Sequence, residues 1–96
     1  MINKHISYNV PVTIMKQGKR FVAYSPAFDL STSGKSKKDV EKKISEIVSI
    51  FLEEIIEMGT LSAVLSELGW RRVQKKWSPP KVISSESIGV SIPTFA

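Results

Sequence analysis

The part of this sequence that most resembles a nucleotide-binding motif is Gly34-Lys35-Ser36, the three residues with which a phosphate-binding P-loop ends. A P-loop needs a further glycine five residues earlier, so that backbone N–H groups can surround the phosphates. That position is Asp29, whose carboxylate would repel a phosphate. The sequence instead predicts that Gly34 ends a strand and that Ser36 is the N-cap of a helix with Asp39 at its N3 position.

Catalytic and metal-binding side chains are sparse in the rest of the chain. His5 is the single histidine and there is no cysteine, so disulfides and thiolate metal sites are excluded. A lone histidine near the terminus is too little for a metal site or a Ser-His nucleophile. Asp29 and Glu46 could converge on a divalent ion, but a two-metal nuclease needs more acids than these. We therefore predict no catalytic residue, no metal and no cofactor.

Positive charge dominates the composition, with a net charge of +5 and a pI of about 9.6. The basic residues form two clusters: Lys35, Lys37, Lys38, Lys42 and Lys43, and then Arg71, Arg72, Lys75 and Lys76 between two tryptophans. Such clusters favour an acidic partner such as nucleic acid, or are solvated faces. One hypothesis is a nucleic-acid-binding module that uses Lys35, Lys37, Lys38, Arg71, Arg72 and Trp77.

The first third of the chain has the alternating pattern of strands. Tyr8, Val10, Val12 and Ile14 predict a first strand with one buried face, at an edge of the sheet because Pro11 cannot donate a hydrogen bond. A turn over residues 16–19 leads to a second strand over 21–24. Alternation over 28–33 predicts a third strand, which would place Asp29 on a strand.

Apolar residues at helical spacing over 37–58 predict one long amphipathic helix that starts at Ser36 and stops at Gly59. Its off-stripe residues Ile50, Leu52 and Ile56 need a cover, and we expect a short helix capped by Thr60 to provide it. That helix ends at Gly69. Trp70 is predicted to fold back on Leu65 or Leu68 as the hydrophobic contact of the helix end.

The end of the chain is predicted to be extended. Ser78-Pro79-Pro80 favours a polyproline-like connection, and the apolar residues over 82–92 have strand spacing, with Gly89 as a bulge and Pro93 at the end. The whole chain, 1–96, is predicted to be one domain, with 78–96 as an extended C-terminal strand or tail. No apolar stretch reaches the length of a membrane span, so we expect no membrane association and a cytoplasmic location.

The order of several short motifs resembles the HicB-like antitoxin domain of type II toxin-antitoxin systems. These motifs are Phe21-Val22-Ala23, Ser25-Pro26 through Leu30, Gly34-Lys35-Ser36, Glu57-Met58-Gly59, Leu68-Gly69-Trp70 and the run from Trp77 to Pro80. Each motif is weak by itself, but their order and spacing are fairly specific. The resemblance covers most of the chain.

The resemblance implies an α+β fold of the partial ribonuclease-H-like type: an antiparallel three-stranded sheet, a long helix, a short second helix and a C-terminal strand. It implies an antitoxin that neutralises a HicA-type mRNA-cleaving toxin by masking its active site, and a homo-oligomer, either dimer or tetramer. Because the tail after Pro80 is too short for a separate DNA-binding domain, direct DNA binding is not expected. The residues expected to contact the toxin are Tyr24, Pro26, Phe28, Asp29, Glu53 and Glu57.

Overall fold

A three-stranded antiparallel sheet with one long helix on one face forms the centre of the molecule. The computed structural model describes residues 8–94. Along the chain the elements are β1 (Thr13–Gln17), β2 (Arg20–Ser25), β3 (Leu30–Gly34), α1 (Lys37–Glu57), α2 (Leu61–Glu67), β4 (Arg71–Val73) and β5 (Lys76–Ser78). The predicted α+β class, with its three-stranded sheet, long helix, short helix and C-terminal strand element, is confirmed. The ribonuclease-H-like arrangement stays a prediction.

The sheet has the strand order β1-β2-β3, so β1 lies at an edge as expected. Gln17 pairs with Arg20, and the two residues between them make the turn, where Gly18 has a φ of +61°. Positive φ at this position favours glycine because no Cβ is in the way. The β-hairpin predicted from the Gly18 signal is therefore confirmed.

The first strand begins later than the alternation predicted. Residues 8–12 are not in a strand, and β1 starts at Thr13, beyond Pro11. Tyr8 instead packs edge-on against Trp70, with ring centroids 5.7 Å apart. Because proline cannot take part in a ladder as a donor, pairing with β2 starts after it.

The third strand also begins later than predicted. Residues 26–29 form the turn between β2 and β3, and Asp29 has a φ of +52°, so its placement on a strand was wrong. Phe28 turns inward and is only 6% exposed. Burial of this aromatic ring stabilises the turn more than two further ladder bonds at the start of β3 would, since a ring of this size buries a large apolar area.

The long helix runs over nearly the predicted range. The Ser36 side chain accepts a hydrogen bond of 3.0 Å from the Asp39 backbone N–H, which confirms Ser36 as the N-cap. At the other end Gly59 has a φ of +72°, as a glycine-terminated helix requires. Val40, Ile44 and Ile55 form the buried side of α1.

The second helix begins and ends where predicted, but the residue at its N-cap position does not act as expected. The Thr60 side chain makes no capping bond within α2. Its hydroxyl donates instead to the Ile55 carbonyl oxygen at 3.4 Å, the same oxygen that accepts the Thr60 backbone N–H at 2.9 Å. Thr60 therefore completes the end of α1, where carbonyl groups lack partners within the helix.

Two hydrophobic clusters make up the core, and Leu30 contacts both. One contains Ala23, Val40 and Ile44, between the sheet and the first half of α1. The other contains Ala27, Phe28, Ile55, Leu65 and Trp70, where the second half of α1 meets the turn and α2. Trp70 is 5% exposed and lies in the same cluster as Leu65, which confirms the predicted contact at the end of α2.

The C-terminal strand element lies earlier in the chain than expected. It is a small hairpin, in which Arg72 pairs with Trp77 across a two-residue turn formed by Gln74 and Lys75. Both turn residues have positive φ, 51° and 69°, without the glycine or asparagine that signals such a turn in a sequence. Residues 79–94 are in no strand, so the strand predicted over 82–92 was wrong.

Candidate protein-binding surfaces

The outer side of α1 carries a row of acidic residues interrupted by one isoleucine. Glu46, Ile50, Glu53 and Glu57 follow each other at helical spacing, and all four are exposed. Residues spaced by three and four positions share one side of a helix, and this side faces away from the buried row that packs on the sheet. We call these four residues the acidic stripe.

Exposed aliphatic side chains lie in and beside the acidic stripe. Ile50 is 55% exposed, Ile56 48% and Met58 72%. The prediction that α2 covers Ile50 and Ile56 was therefore wrong, although Leu52 does pack against the core. The short α2 meets the side of α1 that contains Ile55 and leaves the outer side open. Protein-binding surfaces combine an apolar centre with a polar rim, and this end of α1 presents both exposed aliphatic groups and carboxylates.

Charge changes sign along α1. Near its start, Lys37 pairs with Glu41 at 2.8 Å and Lys43 pairs with Asp39 at 3.3 Å. The last turn contains no basic residue. Glutamates at the C-terminal end of a helix add to the negative end of its dipole, so this end of α1 attracts cations.

A second candidate surface is the sheet face that turns away from α1. Ala23 and Ser25 are fully buried on the helix side of β2, so Tyr24, which lies between them, points to the opposite face. Tyr24 is 40% exposed and Met15 51% exposed. Since Thr13 pairs with Tyr24 and Met15 pairs with Val22, these residues lie on one face, which we call the open sheet face.

One polar contact fixes the edge of the open sheet face. The Tyr24 hydroxyl donates a hydrogen bond of 3.0 Å to the Asp29 carboxylate. This bond, together with desolvation and the nearby negative charge, raises the pKa of the Tyr24 phenol, because each of the three favours the neutral form. Asp29 therefore orients Tyr24 and limits its rotation.

The six residues expected to contact a toxin do not lie on one surface. Tyr24, Pro26 and Asp29 lie in or next to the turn after β2, with Pro26 half-buried. Glu53 and Glu57 belong to the acidic stripe, on the far side of α1 from the sheet. Phe28 lies in the core, its ring centroid 5.1 Å from that of Trp70 and its surface only 6% exposed, so it offers almost no area to a partner. In a sequence, an aromatic turn residue that is buried in the core looks the same as an aromatic turn residue that is exposed for binding.

Two residues of the acidic stripe were not among the residues predicted to contact a toxin. Glu46 was considered only as a metal ligand, and Ile50 only as an apolar residue in need of a cover. Both have the spacing of Glu53 and Glu57, so a helical projection of the polar side alone would have grouped the four.

The six residues of the nucleic-acid hypothesis also divide into two groups. Arg71, Arg72 and Trp77 lie on the β4–β5 hairpin, where the Arg72 guanidinium is 5.9 Å from the Trp77 ring centroid. The lysines of the other group, Lys35, Lys37 and Lys38, lie at the start of α1. The hairpin follows Trp70, which packs with Ile55 near the far end of a helix about 30 Å long. The groups are therefore at opposite ends of α1.

The corner at Gly34-Lys35-Ser36 is filled by a protein carboxylate. The Lys35 backbone N–H donates to Asp39 Oδ2 at 2.8 Å. That bond, with a further contribution from Lys43, holds the pKa of the Asp39 carboxyl below its usual value. A Cβ added to Gly34 would lie 2.7 Å from the same oxygen, so glycine is needed for the close approach. The Lys35 N–H is thus already paired within the protein and is not free to bind a phosphate.

Metal-binding clusters are absent over residues 8–94: no three His, Cys, Asp or Glu side chains lie together there. Asp29 is engaged with Tyr24, and Glu46 lies on the outer side of α1. His5 is outside the described residues. Within the same range, neither helix is both long and apolar enough to cross a bilayer, since the long one is rich in charge.

Comparison with known proteins adds no relative. No protein-family model matches the chain, and neither the curated proteins nor the solved structures contain a significant match.

Proposed function

We propose that this protein is an antitoxin-like binding protein that neutralises a small basic mRNA-cleaving toxin of the HicA type by masking its active site. The order and spacing of the motifs that resemble the HicB-like domain support this proposal. Neutralisation of this kind is steric and electrostatic, so it needs a complementary surface and no reactive side chain. The protein would accordingly not be an enzyme.

The acidic stripe is the surface proposed to receive the toxin, and it is the observation that carries the proposal. The chain has a net charge of +5, yet the outer side of α1 presents Glu46, Glu53 and Glu57 together with the exposed Ile50. A basic protein is attracted to such a patch and repelled by the lysines at the start of α1, which fixes its orientation. The aliphatic side chains then supply apolar area at the centre of the contact.

The open sheet face is less suited to a basic partner. The Asp29 carboxylate accepts the Tyr24 hydroxyl hydrogen bond. Arg20, which donates to the Ser33 hydroxyl at 3.3 Å, adds positive charge to that sheet. Since Tyr24 and Glu53 point to opposite sides of the molecule, a flat interface can use one of them only. We assign the toxin contact to the side of the molecule that carries Glu53.

Co-expression tests the proposal directly. The partner to test is a small basic protein of HicA type from the neighbouring reading frame, and the expected result is restored growth and a complex that co-purifies. Reversal of charge in the Glu53→Lys/Glu57→Lys variant should abolish both. The matched control is Glu67→Lys, an exposed glutamate of α2 outside the acidic stripe. Absence of rescue and of a complex with the unaltered chain would overturn the proposed function.

A separate variant tests the choice of surface. Tyr24→Ala removes the exposed ring of the open sheet face and leaves the acidic stripe unchanged. We expect it to keep the complex. If it releases the toxin while Glu53→Lys/Glu57→Lys does not, the function stands and the proposed surface is wrong.

A second function, the binding of nucleic acid, is favoured by the β4–β5 hairpin. Its four basic residues lie within six consecutive positions, and the Arg72 guanidinium is 5.9 Å from the Trp77 ring centroid. Trp77 also packs against the core, so the hairpin is better suited to contact phosphates than to stack on bases. The affinity for RNA should then fall as the salt concentration rises. In a plot of log affinity against log salt concentration, Arg71→Glu should make the slope shallower by about 0.7 to 0.9 per lost phosphate contact.

Lys37→Glu is the comparison for the nucleic-acid function, because Lys37 lies at the other end of α1. A loss of affinity on Arg71→Glu alone would assign binding to the hairpin, and an equal loss on both would require a ligand that spans the helix. Absence of any salt-dependent RNA binding would remove this function. The homo-oligomeric state and the cytoplasmic location stay predictions, and direct binding of DNA is not proposed.

A further inference from the structure

An open groove runs between α1 and the segment that leads into β1. The groove has a volume of about 520 Å³. Val10, Val12 and Ile14 line one wall, and Ser45, Ser49 and Leu52 of α1 line the other. The edge-on contact of Tyr8 with Trp70 anchors the start of the first wall. A groove of this size is within the range of preformed binding sites, about 300 to 1,000 Å³.

The floor of the groove contains a buried hydroxyl group. Ser25 is fully buried and lines the groove, and its Oγ makes no hydrogen bond within the described residues. Buried hydroxyl groups nearly always have a partner, and lack of one is unfavourable. Because the Ser25 hydroxyl is inaccessible, it lies behind the groove surface, and the surface offered to an occupant is largely that of aliphatic side chains. These are Val10, Val12 and Ile14 along the segment into β1, and Ile44, Val48 and Leu52 along α1. The groove is therefore suited to apolar side chains.

The C-terminal tail has the pattern of a strand without a sheet. Ile88, Val90 and Ile92 alternate with Gly89 and Ser91, so all three aliphatic side chains would share one face of an extended chain. Ile88 is 81% exposed, Val90 77% and Ile92 76%. An alternating apolar segment of this kind gains most by adding to the free edge of another sheet.

The tail leads away from its own domain. Pro80 lies against Gly69, with its Cβ 3.5 Å from where a Cβ on Gly69 would be, and the Pro79-Pro80 pair stiffens the chain at this exit. Beyond it, Ile83 is 95% exposed. The molecule extends over 59 Å in one direction against 28 and 22 Å in the others, with a radius of gyration of 16.5 Å. A compact chain of this length would have about 12 to 13 Å.

Groove and tail match in length. The three aliphatic side chains from Ile88 to Ile92 span about 13 Å in an extended strand. The α1 wall from Glu41 to Leu52 is about 16 Å long. The match allows all three side chains to enter the groove at once, with β1, an edge strand of its sheet, available for main-chain bonds.

Charge favours the tail as the part that a second copy accepts. All fourteen lysine and arginine residues precede Val82, and from there on the only charged side chain is Glu86. Two copies with a net charge of +5 repel each other, but an exchanged tail brings no positive charge to its partner.

We infer that two copies of this protein exchange their C-terminal tails: Ile88, Val90 and Ile92 of one copy fill the groove of the other, as a strand added beside β1. The exchange is reciprocal, so the dimer has twofold symmetry and each groove is filled. This inference goes beyond the proposed function and does not depend on it, because it concerns the contact between copies and leaves the acidic stripe of each copy exposed.

Disulfide trapping tests which tail fills which groove. Because the chain has no cysteine, only the introduced cysteines can form a disulfide. Ser49→Cys and Val90→Cys, each in a separate full-length chain with a different tag, are mixed and oxidised. We expect a disulfide between the two chains, since a bond forms only when the Cα atoms come within about 7 Å. When Ile83→Cys replaces Val90→Cys, we expect no disulfide between the two chains. An equal yield from Ile83→Cys would overturn the inference.

The double variant Ser49→Cys/Val90→Cys separates exchange from folding back. The dimer of this variant is isolated, diluted and then oxidised. We expect the disulfides to link two chains. Disulfides within single chains alone would show that the tail fills its own groove, which overturns the exchange.

Light scattering provides the independent measurement. The unaltered protein and the Ile83→Asp control should have twice the monomer mass of 10.7 kDa. Val90→Asp should reduce the mass by half and leave the helical circular dichroism unchanged, because residue 90 lies outside both core clusters. A monomeric unaltered protein, or a dimer that survives Val90→Asp, would overturn the inference. Neither result bears on toxin binding, so the two proposals fail separately.

Discussion

The indole nitrogen of Trp70 donates a buried hydrogen bond of 2.8 Å to the carbonyl oxygen of Ala27, 43 residues earlier in the chain. This bond joins the end of α2 to the turn between β2 and β3. Both residues belong to the same core cluster and are almost completely buried. The contact explains why the second half of the fold, which shares no strand with the sheet, is held against it.

Trp70→Phe should therefore destabilise the protein although it retains an aromatic ring. The substitution leaves the buried Ala27 carbonyl without its partner, which lowers the free energy of unfolding by about 1 to 3 kcal/mol. Urea unfolding followed by circular dichroism measures the change. Trp77→Phe is the matched control, since Trp77 is only half-buried. An equal loss in both variants would mean that ring size, and not the hydrogen bond, is responsible.

Gly34→Ala should destabilise the corner between β3 and α1. The added Cβ would lie 2.7 Å from Asp39 Oδ2 and 3.0 Å from the Val40 backbone nitrogen, so the carboxylate and the helix start must both shift. Overpacking of this kind lowers the free energy of unfolding by about 1 to 3 kcal/mol. Thermal unfolding of Gly34→Ala and of Gly89→Ala provides the comparison, because a Cβ at Gly89 meets no atom within 4 Å. Similar stability of the two variants would contradict the close approach.

Asp39 should make the stability of the protein sensitive to acid. Its pKa in the folded state is lowered, first by the Lys35 backbone N–H and then by Lys43. A lowered pKa gives stabilisation that is present above the unfolded value of about 3.9 and is lost as the pH falls through the folded value. Asp39→Asn should therefore be less stable than the unaltered protein at neutral pH, and the difference should shrink in acid.

Denaturant unfolding of the two proteins at a series of pH values checks this expectation. Glu41→Gln is the control, because both side chains of the Glu41–Lys37 pair are exposed and exposed pairs contribute little. A difference between Asp39→Asn and the unaltered protein that does not depend on pH would show that the charge of Asp39 is not involved.

Tyr24 should lose its proton at a higher pH than an ordinary tyrosine. Its hydroxyl donates to Asp29, so its pKa lies above the usual value of about 10. The folded state holds the proton more tightly than the unfolded state does. The resulting stabilisation is therefore fully present below the unfolded pKa of Tyr24 and is lost as the pH rises through its folded pKa. Asp29→Asn removes the carboxylate charge and should lower the pKa of Tyr24.

The ultraviolet absorbance of tyrosinate measures this pKa, and subtraction of the Tyr24→Phe titration isolates Tyr24 from the other tyrosine, Tyr8. An unchanged midpoint in Asp29→Asn would mean that the bond is not formed in solution.

Sequence alone determined the elements whose signals are local. The helix over 37–57 follows from the spacing of its apolar residues, from Ser36 as the N-cap and from Gly59 at the end, all within a few residues of each other. The first hairpin follows from Gly18 for the same reason. The interpretation of Gly34-Lys35-Ser36 as a corner, and not a nucleotide loop, was also available from Asp29 and Asp39.

Tertiary structure alone decided the features that depend on distant partners. Phe28 points inward because its ring packs against the rings of Trp70 and Phe51. As a result, Asp29 lies in a turn beside Tyr24. The β4–β5 hairpin formed around a turn with no glycine, and the apolar alternation of 82–92 found no neighbouring strand. Local pattern fixes where a helix begins and ends, because its hydrogen bonds join nearby residues. A strand or a turn depends on which surface lies opposite, and only the folded chain supplies that surface.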